Sequence, residues 1–385
     1  MSRRYQTISS DGHLEIPVDG WIGRVPEEHR ERAPRLIKLA DGGEGWLVEG
    51  MPLIHNGTNI AGGRMMKIIG ASYWEEDGTP APGTGSPAQR LREQDRDGID
   101  AEVLFPPVFI GRYIENISDR DAYLAMVRAY NDFLAEDYCA VAPDRLLATA
   151  LIPVTGIEDA LAELDRVRGL GLTSVCLSHF PNGTTEPTNE DDRFWERALE
   201  LDMPVTSHVT IGSRSHPMLV SAAAGRYELP STLMRGTVPP PLGMITGMIA
   251  NGVFDRIPDL RLYIAETNAG WLPEVLYMMD DSYDTFREAL GYRLKLTPSE
   301  YVSRHLLFGI VRDRVAIQCR DLLPVENLMW GSDFPHSVTT YPRSRDWLDH
   351  VFADAPAGLR EQVLLHTPCR YFRLDPQAEL TPTSE

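Results

Sequence analysis

Leu328-Met-Trp-Gly-Ser-Asp333-Phe-Pro-His336 is a short apolar run that breaks at a glycine into a carboxylate, a proline and an imidazole. Asn327 to Trp330 reads as a strand. Pro335 then ends pairing and fixes the backbone that carries His336. Ionisable groups just past the C-terminal end of a strand stand where parallel α/β sheets and barrels do their chemistry. Asp333 then points into a mouth; the blander alternative makes it the cap of the helix whose pattern starts near Pro342.

Working outward from this strand, a strand–helix rhythm fills the chain from Pro87. Strands are expected at Ala101–Pro106, Leu146–Pro153, Ser174–Phe180, Pro204–Val209, Arg261–Asn268 and, more weakly, His305–Gly309. Helices are expected at about Ala88–Asp97, Asp119–Ala140, Ile157–Arg168, Asp191–Leu201, Leu242–Phe254 and Trp271–Glu288, with two more near Ser344–Phe352 and Gly358–Leu365. With a first strand around Ser9, eight strands predict an α/β fold, a distorted (β/α)₈ TIM barrel. A doubly wound open sheet is the alternative, but no Gly-rich phosphate loop follows any strand.

Two stretches interrupt the rhythm. Pro17–Pro87 is irregular yet rich in Trp and Met, so it reads as an insertion packed over the barrel mouth rather than as disorder. It contains a hairpin signal at Gly42-Gly-Glu-Gly45 and one linker-like piece, Gly78–Ser86. The second insertion is Thr210–Leu233. The whole of 1–385 reads as one domain.

Composition narrows the class. The chain has 385 residues, 43% of them hydrophobic, and a formal charge of −19 from 37 Lys+Arg against 56 Asp+Glu. That balance disfavours nucleic acid and anionic membrane as partners and leaves a small-molecule substrate. Cys139, Cys176, Cys319 and Cys369 are widely spaced, as in a reduced cytoplasmic protein. No apolar run is long enough to span a bilayer. Met244-Ile-Thr-Gly-Met-Ile-Ala-Asn-Gly-Val-Phe254 reads as a buried helix or as the interface of a homo-oligomer.

The strand ends supply a constellation. Asp11, His13 and Glu15 alternate along the first strand and would share one face. His179, His208 and Glu266 end the fourth, fifth and sixth strands, and Asp333 and His336 follow the eighth. Mixed imidazole and carboxylate ligation suits a divalent Zn, Fe or Mn ion. Asp333 is expected as ligand and proton acceptor, with His208 and Glu266 also catalytic. His336 is expected to position a ligand or bind substrate. Arg64, Lys67, Arg214 and His216 in the insertions are candidates to hold a substrate anion. Trp74, Phe109 and Trp271 are candidates for an apolar wall.

These motifs resemble the amidohydrolase superfamily, in the amidohydrolase-related branch that includes aminocarboxymuconate-semialdehyde decarboxylase. The resemblance is carried by Ser10-Asp-Gly-His-Leu-Glu15, Gln94-Asp-Arg-Asp-Gly-Ile-Asp-Ala-Glu-Val-Leu-Phe-Pro106, Glu266-Thr-Asn-Ala-Gly-Trp-Leu-Pro273 and Met329-Trp-Gly-Ser-Asp-Phe-Pro-His336. It implies one or two divalent metals at the C-terminal face, with Asp11, His13, His208 and Asp333 at the family's ligand positions. Two departures stand out: Asp11 replaces the first His of His-x-His, and Glu266 replaces a strand-six His.

The expected activity is metal-dependent hydrolysis or non-oxidative decarboxylation of a small carboxylate or acyl substrate. The alternative is a binuclear non-haem iron monooxygenase on the same barrel; a barrel that has lost its metal and only binds is a third reading. Seven possible ligands, four of them carboxylates, predict that two ions can bind, roughly 3.5–4 Å apart.

Overall fold

The structure is a computed structural model that describes residues 3–55, 57, 59–67, 70–107, 111, 113–211 and 241–383. It opens with β1 (Ile8–His13), every residue of which is buried. The first insertion follows and builds its own antiparallel sheet from β2 (Arg35–Lys38), β3 (Glu44–Leu47) and β4 (Ile54–His55). The expected hairpin is its first half, with Arg35 opposite Leu47 and Lys38 opposite Glu44. Trp21, Trp46 and Tyr73 are buried, and the Trp46 indole N–H donates to the Tyr73 hydroxyl at 2.6 Å.

Seven further strands complete the barrel: β5 (Ala101–Phe105), β6 (Leu146–Leu151), β7 (Ser174–Leu177), β8 (Val205–His208), β9 (Leu262–Ala265), β10 (Leu306–Ile310) and β11 (Leu328–Trp330). They lie in the order β1-β5-β6-β7-β8-β9-β10-β11, each parallel to its neighbour. Parallel pairing demands crossovers, and helices supply them, among them α1 (Pro87–Asp97), α2 (Arg120–Phe133), α3 (Ile157–Gly169) and α4 (Asp192–Glu200). Helix α1 shows why the local sequence folds so. Ser86 accepts from the Gln89 N–H, Pro87 opens the first turn, and Gly98 at φ 74° ends the helix.

The core has two layers. Leu104, Leu146, Val175 and Leu164 belong to the shell between strands and helices. Ile8, Val103, Phe105, Leu147, Tyr263, Leu307 and Met329 fill the barrel itself. The C-terminal helix Thr367–Phe372 stoppers the base: Tyr371 and Phe372 pack edge-on against Tyr263. The Tyr371 hydroxyl accepts from the Tyr263 N–H at 3.0 Å and donates to the Val205 carbonyl.

Several expectations shift. The second helix loses α geometry at Phe133 and passes into a π-turn over Leu134–Tyr138. The Leu242 helix ends at Asn251, because Gly252 takes φ 75°. Its Met244, Ile245, Met248 and Ile249 are buried within the chain. Gly78–Ser86 is no slack linker: Ala81 and Thr84 are buried, and a side chain at Gly83 would strike Pro335. Gly62 N–H donates to the Pro335 carbonyl at 2.7 Å, so the first insertion sits on the loop beyond β11 at the mouth. From residue 212 the second insertion, with Arg214 and His216, lies outside the described residues, as does Phe109. The four cysteines form no disulfide. No helix among the described residues is long and apolar enough to cross a membrane.

Candidate metal centre

First and last strands meet at the site. Among the described residues one parallel bridge, Gly12 to Phe334, joins β1 to the chain beyond β11. The His13 N–H donates to the Phe334 carbonyl at 2.7 Å, and the Asp333 N–H to the Asp11 carbonyl at 2.9 Å. Gly331 makes room for this approach, since a Cβ there would lie 2.3 Å from the Asp11 Cβ. Strand β1 carries a register shift between Ser9 and Gly12, an extra residue that re-aims the side chains around Asp11.

Around this junction six side chains converge. His13 Nε2 lies 3.5 Å from Asp11 Oδ1 and 3.5 Å from Asp333 Oδ1. His208 Nε2 lies 3.6 Å from Asp11 Oδ1 and 3.5 Å from Glu266 Oε2. His336 Nδ1 lies 2.9 Å from Asp333 Oδ1. Ligand atoms of Asp11, His13 and His208 all fall within 4.8 Å of one another, and so do those of His13, Glu266, Asp333 and His336. Donors about 2.1 Å from one cation stand about 3.0–3.4 Å apart, close to these spacings. Asp11 Oδ1 and Oδ2, His13 Nε2 and His208 Nε2 are buried without a hydrogen-bond partner among the described residues. Buried polar atoms are otherwise bonded, so this donor set fits a divalent cation.

Burial pushes the His13 imidazole well below its ordinary range, and the neighbouring His336 and His208 push the same way. His13 Nδ1 lies 3.4 Å from the Pro106 carbonyl, which orients a neutral ring with Nε2 as its lone-pair face. Burial alone would lower His336 too, but Asp333 and Glu15 on either side hold it well above the usual imidazole range. His13 and His336 stack with ring centres 3.8 Å apart. Burial raises the Glu266 carboxyl, and the nearby Asp333 adds to the shift while His208 opposes it.

The backbone is strained where these groups project. Val209, Glu266, Asn268 and Asp333 all hold φ between 54° and 64°, a region L residues avoid. Each such residue costs about 1–3 kcal/mol, and such strain concentrates at functional sites. Hydrogen bonds to the next strand hold it: Val209 to Ala265, Asn268 to Gly309 and Asp333 to Asp11.

The other expected residues stand elsewhere. Glu15 belongs to neither ligand group; its Oε1 lies 3.3 Å from His336 Nε2, beyond the ring from Asp333. His179 belongs to neither group and has Nδ1 3.5 Å from Glu115 Oε2. Arg64 pairs with Glu75 and donates to the carbonyls of Ala61 and Ile60. Lys67 is exposed, and Trp74 lies under the Lys38 ammonium. Trp271 donates its indole N–H to the Thr267 carbonyl and meets Phe308 edge-on. Sequence reasoning missed Arg90 and Glu102, a buried pair directly behind the site. A carboxylate inside the apolar run Ala101–Phe105 was the available signal.

Comparison with known proteins gives the family. The amidohydrolase family matches residues 71–374, all of the barrel after β1. The chain belongs to the amidohydrolase family. Among curated relatives, a decarboxylase, orsB, of Emericella nidulans is 31% identical over 41% of this chain and 47% of its own length. This chain therefore matches about half of that relative. The 2-amino-3-carboxymuconate-6-semialdehyde decarboxylase of Dictyostelium discoideum is 24% identical over 71% of this chain and 70% of its own. Among solved structures, an amidohydrolase from Mycobacterium avium subsp. paratuberculosis superposes with a TM-score of 0.71 at 18% identity, covering 96% of this chain and all of its own. The 5-carboxyvanillate decarboxylase of Novosphingobium aromaticivorans, solved with manganese and a hydroxymethoxynitrobenzoic acid, gives 0.63 at 17% identity, covering 96% of each chain. The shared barrel and this family place the chain among enzymes.

Proposed function

We propose that this amidohydrolase-family chain is a metal-dependent carboxy-lyase that removes CO₂, without oxidation, from a small hydroxylated aromatic or enolisable carboxylate. The observation that carries the reading is the meeting of Asp11, His13, His208 and Asp333 at one mouth, with Glu266 3.5 Å from His208. The decarboxylases among its relatives support the reaction type, and the manganese in the Novosphingobium enzyme supports that ion.

Asp11, His13, His208 and Asp333 would hold the cation. When bound it anchors the substrate carboxylate and spreads the charge that develops on the substrate. Glu266 delivers a proton to the carbon as its bond to the carboxylate breaks and the electron pair stays on that carbon. Its side chain is 20% exposed, so it regains the proton from solvent. His336, between Glu15 and Asp333, keeps Asp333 turned toward His13. One ion is the preferred reading. Glu15 and His179 lie outside both ligand groups, which removes the main support for a diiron oxygenase.

The test uses full-length protein, stripped with chelator and reloaded with Mn²⁺. It is incubated with 2,6-dihydroxybenzoate, 5-carboxyvanillate and a nitrophenyl ester. Expected are CO₂ and the protonated arene from the loaded protein alone. Glu266→Gln should keep its Mn²⁺ and lose turnover by about 10²-fold or more. Ester cleavage without CO₂ release, or oxygen incorporated into product, would sink the reading.

A further inference from the structure

Among the described residues the barrel closes by one bridge, at the place where both Asp11–His13 and Asp333 project. Arg90 in α1 is fully buried behind it. Its Nη1 donates to the His13 carbonyl at 3.0 Å and its Nη2 to the Phe334 carbonyl at 3.1 Å. Its Nε donates to Glu102 Oε2 at 2.7 Å, and its guanidinium lies 4.5 Å from the centre of the Phe334 ring. Glu102 in turn accepts from Gln94 at 2.9 Å and from Ser332 Oγ at 3.4 Å. Gly12 leaves the space: a Cβ there would stand 3.0 Å from Arg90 Nη2 and 3.0 Å from Glu102 Oε1.

We propose that Arg90 is a positioning residue that sets the metal-binding geometry before metal arrives. The planar guanidinium spans two carbonyls, one belonging to the ligand His13 and one to the residue after the ligand Asp333. Glu102 fixes the plane of that fork. The Phe334 carbonyl uses both lone pairs, one for the His13 N–H and one for Arg90. Arg90 touches no substrate; it acts through the backbone on either side of the seam. Lysine cannot replace it, because one ammonium does not reach both carbonyls and the carboxylate in a plane.

The inference rests on the metal-centre reading, and the experiment separates the two. Wild-type protein that binds no Mn²⁺ sinks the metal centre itself. Given wild-type binding, Arg90→Lys should weaken Mn²⁺ affinity by about 10–100-fold, the usual scale for outer groups that orient ligands. Its Co²⁺ d–d spectrum should differ from wild type in position or intensity. Leu164→Ala, a core change in α3 away from the seam, controls for loss of stability and should keep the wild-type spectrum and affinity. A wild-type spectrum and affinity in folded Arg90→Lys overturns the proposal, and so does an equal affinity loss in Leu164→Ala. Should Arg90→Lys fail to fold, hydrogen exchange on wild-type protein decides. The His13 and Asp333 amides should be protected without metal; free exchange until Mn²⁺ is added overturns the proposal.

Discussion

On the proposed metal-centre reading, Asp11 should carry opposite stability effects with and without a cation. Without one, its carboxylate is buried near Asp333 and Glu266 and has no hydrogen-bond donor among the described residues. With one, on the proposed reading, it becomes a ligand. Asp11→Asn should therefore raise the stability of metal-free protein by about 0.5–2 kcal/mol, the scale of relief expected at a strained functional site. It should weaken Mn²⁺ binding about tenfold or more. Thermal melts in chelator and in Mn²⁺ check both halves; an Asn variant less stable in chelator contradicts the electrostatic account. At this scale the sequence was informative where a residue's placement follows from its position on a strand. His13, His208, Glu266 and Asp333 were readable because a strand end faces the mouth whatever the rest of the chain does. Glu15 and His179 were not, because their direction depends on His336 and Glu115, remote in sequence. Arg90 looked like any helical arginine until the helix face carrying it met β5.

Between elements, α1 is tied at both ends of its length: Arg90 to the seam, and Asp97 to the start of the helix Ser344–Val351. Asp97 accepts from the Ser344 N–H at 2.9 Å and from its hydroxyl at 2.5 Å. Burial nevertheless raises its carboxyl to about 6, because these two bonds only partly offset desolvation. An acid that holds its proton more tightly when folded favours the fold at low pH. That advantage is complete below the ordinary value of 3.8 and is lost as pH rises to about 6. Relative to Asp97→Asn, the wild type should lose at most about 3 kcal/mol between pH 4 and pH 7. Urea midpoints of both proteins at the two pH values measure it, and a constant difference between them refutes it. Element types were legible because apolar periodicity and caps agree, as Ser86, Pro87 and Gly98 do for α1. The weakest expected strand, β10, is as buried as the rest. Strand β4, two residues long, is too short to leave a pattern. Gly78–Ser86 misled because Gly and Pro mark tight turns as readily as slack chain.

Across the whole molecule the two ends of the barrel differ, with the proposed metal-binding side chains at the mouth and an aromatic stopper at the base. Tyr371→Phe removes a hydroxyl that satisfies the Tyr263 N–H and the Val205 carbonyl. It should cost about 1–3 kcal/mol, the desolvation scale for orphaned buried groups, and leave Mn²⁺ affinity within about twofold. Urea denaturation paired with a Mn²⁺ titration tests this, and a parallel fall in affinity shows the ends to be coupled. The barrel was legible from the count of strand–helix units; its closure was not, since the seam joins Ser9 to Ser332 across 323 positions. That seam has a consequence in time. A ribosome making 5–20 residues per second delivers Asp11 on the order of tens of seconds before Asp333. Throughout that interval the outer edge of β1 lacks its partner and is open to wrong pairing. A chain cut short between Glu266 and Asp333 carries Asp11, His13 and His208, three of the four residues proposed to hold the cation, but lacks the Phe334 that closes the seam. On the proposed metal-centre reading, a retained cation would therefore mark a chain that has been finished and closed.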